Sequence, residues 1–156
     1  MSEPNDFSDP RRVLEEINRP IPLRLASDSL RDDEAVVLGA VSVHGLALGY
    51  ASARVSRSKN VVLVAVKECG MALRYADPEL QSDKEIVGIA IKDCGLALEF
   101  ASEELRKNRK VALAAVSNLG AALKYVFGPL RRAREVVWAA VMNDGLALEY
   151  CNEKWR

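Results

Sequence analysis

At 156 residues the chain has the size of one domain, and its 22 Lys plus Arg balance 22 Asp plus Glu, leaving none of the overall basic excess of a dedicated polyanion binder. Its longest aliphatic run, Val61 to Val66, falls far short of the roughly 20 apolar residues that a membrane-spanning helix needs. Three cysteines (Cys69, Cys94, Cys151) and a polar, acidic start at Met1-Ser2-Glu3-Pro4-Asn5-Asp6 argue against secretion, and point to reduced thiols in an intracellular, cytoplasmic protein.

Taken in chain order, residues 1–8 are expected to be disordered. Asp9-Pro10 reads as an N-cap followed by proline in the first turn, opening an amphipathic helix through Val13, Leu14 and Ile17. Together with Leu23-Arg24-Leu25-Ala26-Ser27 it makes a divergent N-terminal cap over residues 9–29. From Leu30 onward a repeat governs the chain. The pattern G-[LMA]-A-L-x-[YF] occurs five times, with Gly45, Gly70, Gly95, Gly120 and Gly145 recurring at one constant interval. A strict period of that length marks a repeat protein, whose unit buries its apolar face only against its neighbours. The units run 30–54, 55–79, 80–104, 105–129 and 130–156, all in one domain.

With Leu30 as position 1, position 4 is Asp33, Ser58, Asp83, Asn108 and Ala133, and the first four of these are N-cap residue types. Positions 7, 8, 11 and 12 are aliphatic or alanine in every unit, and that spacing lines one face of a helix over positions 4 to 15. Position 11 is always alanine, as expected where a neighbouring helix packs close. Glycine at position 16 is expected to end this helix in a left-handed conformation. A short second helix follows, carrying leucine, leucine and an aromatic at positions 17, 19 and 21, for example Leu96, Leu98 and Phe100. The aromatic column Tyr50, Tyr75, Phe100, Tyr125 and Tyr150 reads as core anchors between layers. Asp77-Pro78-Glu79-Leu80 and Ser102-Glu103-Glu104-Leu105 open a third, one-turn helix. Val126-Phe127-Gly128-Pro129 breaks that pattern and predicts a local distortion between units four and five. Trp155 falls on position 1 again and is expected to close the last turn.

The unit [DN]-[KR]-x-V-V-L-x-A-V-x-x-x-G-x-A-L-x-Y-A-S-x-x-L resembles the short helical repeat of domain of unknown function 4116. The stretch from Lys84-Glu85-Ile86-Val87 through Leu105 is nearest to it, and the likeness covers about residues 23–156. The resemblance implies tandem helical units and carries no established chemistry. The fold expected is all-α: a solenoid-like helical-repeat array of five 25-residue units with an N-terminal helical cap.

Chemistry is sparse. His44 shares position 15 with Cys69, Cys94, Leu119 and Asp144. Stacked helical units lie about 8–10 Å apart, too far for shared zinc ligands at about 2.0–2.3 Å. No triad, phosphate loop or paired-acid site is visible, so the chain reads as a non-enzyme without cofactors or metals. The most uneven feature is charge. The turns entering the helices of units four and five carry Arg106, Lys107, Arg109, Lys110, Arg131, Arg132 and Arg134, where unit one has Arg31-Asp32-Asp33-Glu34. Cations there oppose the helix dipole and make an edge suited to anions, unless Glu79, Glu103 and Glu104 neutralise it. Positions 2, 3, 5, 6, 13, 14 and 20 vary freely, as solvent or recognition positions do. The function expected is a protein–protein interaction scaffold. The alternative is a weak nucleic-acid or anion binder using the basic edge.

Overall fold

The computed structural model describes residues 22–151; the expectations for residues 1–21 and for Trp155 lie outside them. Among the described residues there is no strand, and the same helical unit recurs five times. Its main element is a ten-residue α-helix: Glu34–Val43, Lys59–Glu68, Lys84–Asp93, Arg109–Asn118 and Arg134–Asn143. Each helix packs on the next, forming one layer. The helix occupies positions 5 to 14, with position 4 as its N-cap. Asp33, Asp83 and Asn108 accept from the backbone N–H groups two and three residues on, at 2.8–3.4 Å. Ser58 does not cap; its hydroxyl goes to Glu34 of the preceding unit at 2.7 Å. Ala133 has nothing to cap with.

The second layer is built from six-residue 3₁₀ segments: Gly45–Tyr50, Gly70–Tyr75, Gly95–Phe100, Gly120–Tyr125 and Gly145–Tyr150. Such runs usually stop after three or four residues. Here the pattern suits three residues per turn, because positions 16, 19 and 22 fall on one edge. Gly70, Leu73 and Ala76, and Gly95, Leu98 and Ala101, are buried along it. Positions 17, 19 and 21 cannot all face one way on a helix, and only position 19 lies on this buried edge. That geometry also places the aromatic column at the edge of the core, with Phe100, Tyr125 and Tyr150 packed against it. Tyr50 and Tyr75 are 41% and 37% exposed, and Phe100, Tyr125 and Tyr150 are half-buried. Arg74 lies 5.0 Å from the centre of the Tyr75 ring and 5.7 Å from that of Phe100, so the aromatics form a rail along the surface.

The repeat glycine is not left-handed: among the described residues no glycine has a positive φ. Close approach selects it instead. A Cβ on Gly45, Gly70, Gly95 or Gly120 would lie 2.3–2.5 Å from the carbonyl oxygen of the next unit's position-11 alanine. Position 15 makes the chain reversal, extended at φ between −139° and −149° in all five units.

Position 14 closes the same junction and is not a free surface position. Asp93, Asn118 and Asn143 each accept the N–H of the preceding unit's glycine (Gly70, Gly95 and Gly120) at 2.7 Å. The two asparagines also donate back, Asn118 to the Lys92 carbonyl at 2.8 Å and Asn143 to that of Ser117 at 3.0 Å. One side chain thus satisfies a donor and an acceptor of the unit before it.

The connector returns over its own unit. Ser52, Asp77, Ser102 and Phe127 donate their N–H to the carbonyls of Arg31, Ser56, Gln81 and Arg106. Phe127 makes this bond at 3.3 Å and Leu130 bonds back to Phe127 at 2.9 Å, so the expected distortion between units four and five is absent. Pro129 sits at φ −59°, its natural value, at the head of the turn Leu130–Arg132. Upstream of unit one, Leu23 and Ala26 stand one repeat length before Leu48 and Ala51, and both are buried against the array.

Candidate interaction surface

The seven cations expected on one edge divide into two groups. Lys107, in the opening turn of unit four, pairs with Glu103 at the end of unit three, and its ammonium lies 4.7 Å from the centre of the Phe127 ring. Arg109, the first residue of its helix, pairs with Glu135 of unit five. That contact raises the guanidinium above its ordinary range and lowers the carboxyl. Arg106 is half-buried, its Nε enclosed without a hydrogen-bond partner. Lys110, Arg131, Arg132 and Arg134 have no ion pair among the described residues.

Of the acids expected to neutralise this edge, Glu103 does so at Lys107, and neither Glu79 nor Glu104 forms an ion pair among the described residues. The acids that meet position 5 of the unit before them occupy positions 4 and 6. Lys59, at position 5 of unit two, is held by Asp83 at 2.8 Å and Glu85 at 2.9 Å from unit three. Arg109 and Glu135 repeat the arrangement between units four and five. The signal was present in the chain as opposite charges just under or just over one repeat length apart. It could be found only by reading position 5 against the next unit.

The outward side of unit five completes the surface. Trp138, Met142 and Leu146 are 65%, 69% and 71% exposed, and Leu148 is 38% exposed where Leu48, Leu73, Leu98 and Leu123 are buried. A Cβ on Gly145 would meet nothing within 4 Å. An open groove of about 550 Å³ runs beside it, lined by Arg109, Leu130, Ala133, Arg134, Glu135 and Trp138. This combination of an apolar floor, an exposed indole and unpaired guanidinium groups suits binding.

Elsewhere reactive groups stand apart. Cys69 and Cys94 are half-buried free thiols, and Cys151 is buried with its Sγ 3.7 Å from the Ala147 carbonyl oxygen. No group of three His, Cys, Asp or Glu among the described residues is placed to hold a metal. No helix among them is long and apolar enough to cross a membrane.

Three overlapping stretches, residues 58–106, 89–131 and 108–156, match the family described as Domain of unknown function (DUF4116). The chain belongs to the DUF4116 family. The two longer matches each take in about two of the 25-residue units and begin at a helix N-cap, Ser58 or Asn108. A DUF4116 match therefore corresponds to a stacked pair of helix-plus-3₁₀ units. No curated protein and no solved structure matches the chain.

Proposed function

We propose that this DUF4116 array is a non-enzymatic scaffold that binds other proteins through the outward side and basic edge of its last units. The supporting observation is one juxtaposition: the strongly exposed Trp138 lines one groove with Arg134, which has no acidic partner among the described residues, and Met142 and Leu146 are exposed on the same unit. Met142 is an exposed apolar side chain at a position that holds Ser42, Lys67, Lys92 and Ser117 in the other units. The free thiols support an intracellular, cytoplasmic setting.

A pull-down from source-cell lysate, with and without nuclease, tests the reading. The bait is the full chain beside its Met142→Ser, Trp138→Gln double variant. Proteins retained after nuclease and lost from the variant are the expected result. Retention equal on both baits would sink it. The second reading, binding of nucleic acid or another polyanion, draws on the four unpaired cations. It requires retention to vanish with nuclease, and affinity to fall steeply with salt.

A further inference from the structure

We infer that the groove of unit five receives an acidic helix-start segment of a partner protein, of the form apolar-x-x-Asp-x-Glu. This rests on the scaffold reading and names the partner's chemistry.

The interior junctions supply the template. Each long helix packs on the long helix of the unit before it. Position 5 of the lower unit then meets positions 4 and 6 of the upper one: Glu34 with Ser58, Lys59 with Asp83 and Glu85, Arg109 with Glu135. Lys84 stays unpaired, because the residues in those places, Asn108 and Lys110, carry no negative charge. Arg134 is position 5 of unit five, an unpaired cation on the rim of the groove. The charge that satisfies position 5 inside the array is a carboxylate at position 4 or 6 of a stacked helix start. Leu80, Asp83 and Glu85 are this chain's own example of the full pattern.

Two observations extend the match from one ion pair to a face. Arg131 and Arg132, in the turn just before Arg134, add unpaired positive charge, which favours an acidic segment. Leu130, Ala133 and Trp138 offer the apolar lining for the segment's leading residue. A second copy of this chain fits less well. Unit one has Val43 at position 14, and Leu23 and Ala26 already pack against it. It has no amide or carboxylate there to meet the Gly145 N–H.

The probe is a fluorescein-labelled peptide of residues 80–93 of this chain, titrated with the full-length protein and read by anisotropy. Saturable binding is expected, weakened about tenfold or more by Arg134→Glu through like-charge repulsion. Glu34 occupies that position in unit one, so the variant retains the fold, as circular dichroism checks. A peptide with lysine for both acids should lose binding to the wild type and regain it with Arg134→Glu. Several outcomes overturn the inference. They are no saturation by about 1 mM, binding indifferent to Arg134→Glu, a protein mass that doubles with concentration, or a single-stranded oligonucleotide that displaces the peptide. If the pull-down succeeds while the peptide fails, the scaffold stands and the groove assignment falls.

Discussion

The junctions inside the array and the outward side of unit five are built from the same positions and finish differently. Inside, the glycine lies against the next unit's alanine carbonyl, its N–H is held by position 14 in three of four cases, and the leucine at position 19 is buried. Outside, Gly145 faces open space and Leu148 is exposed. Met142 and Trp138 expose apolar side chains where the interior units carry a polar residue, a half-buried leucine or glycine. The difference separates two uses of one motif. At a junction, each group is satisfied by a neighbour in the adjoining unit. On the outward side of unit five the same groups have no such neighbour among the described residues.

The glycines break this comparison most sharply. Gly95→Ala forces a Cβ to within 2.4 Å of the Ala115 carbonyl oxygen, so backbone must move at both units. Overpacking of this kind costs about 1–3 kcal/mol, and backbone-on-backbone contact belongs at the upper end. Gly145→Ala meets no atom and adopts an ordinary negative φ, so it should be neutral or stabilising by up to about 1 kcal/mol. Urea denaturation of both variants checks the contrast. Equal losses would show that conformation, not crowding, selects the glycine.

A smaller effect is expected at position 14. Asn118→Ala leaves the buried Gly95 N–H without its acceptor, costing about 1–3 kcal/mol. Glu68 makes no such bond to Gly45. Glu68→Asn should therefore repair the first clamp and raise stability by about 1 kcal/mol. Denaturation midpoints check both signs, and the exchange rate of the Gly45 amide should fall in the second variant.

The architecture was legible in the sequence because a strict period exposes it. Positions 7, 8, 11 and 12 repeat as apolar, and a helix of about 3.6 residues per turn buries them together. The glycine was legible as a constraint but misleading as to kind, since a left-handed cap and a close approach both select glycine. Position 14 was hidden for a different reason. Val43, Glu68, Asp93, Asn118 and Asn143 look like a tolerant surface column until they are set against the glycine of the unit before. The aromatic column was misplaced because its rings cover the rim of the 3₁₀ layer, and fixed register alone does not distinguish rim from core. At the candidate site, the seven cations were visible one by one. Lys107 has its acid, Glu103, four residues away, but the pairing of Arg109 with Glu135 depended on stacking geometry that no local window contains.

The smallest expected effect concerns pH, and it sets the paired edge against the unpaired one. Asp83 is held below the usual carboxylate range chiefly by its hydrogen bond from Lys59, with the Glu85 and Ile86 N–H groups adding to it. Asp77 is lowered likewise, chiefly by Arg57. A carboxyl whose native value is depressed contributes stability that is present above its unfolded value of about 4. That contribution is lost as pH falls through the native value. The array should therefore weaken modestly on the acid side of the ordinary carboxylate range, and less so in high salt, because these groups lie near the surface. Carboxyl NMR titration should place Asp83 below the usual range in the native protein and move it upward in Lys59→Ala. Arg134→Gln removes a cation that has no carboxylate partner among the described residues, and should leave the titration of Asp83 and the acid limb of the stability curve unchanged. If Arg134→Gln shifts that limb as far as Lys59→Ala does, Arg134 already has an acid, and the outward side of unit five is satisfied from within.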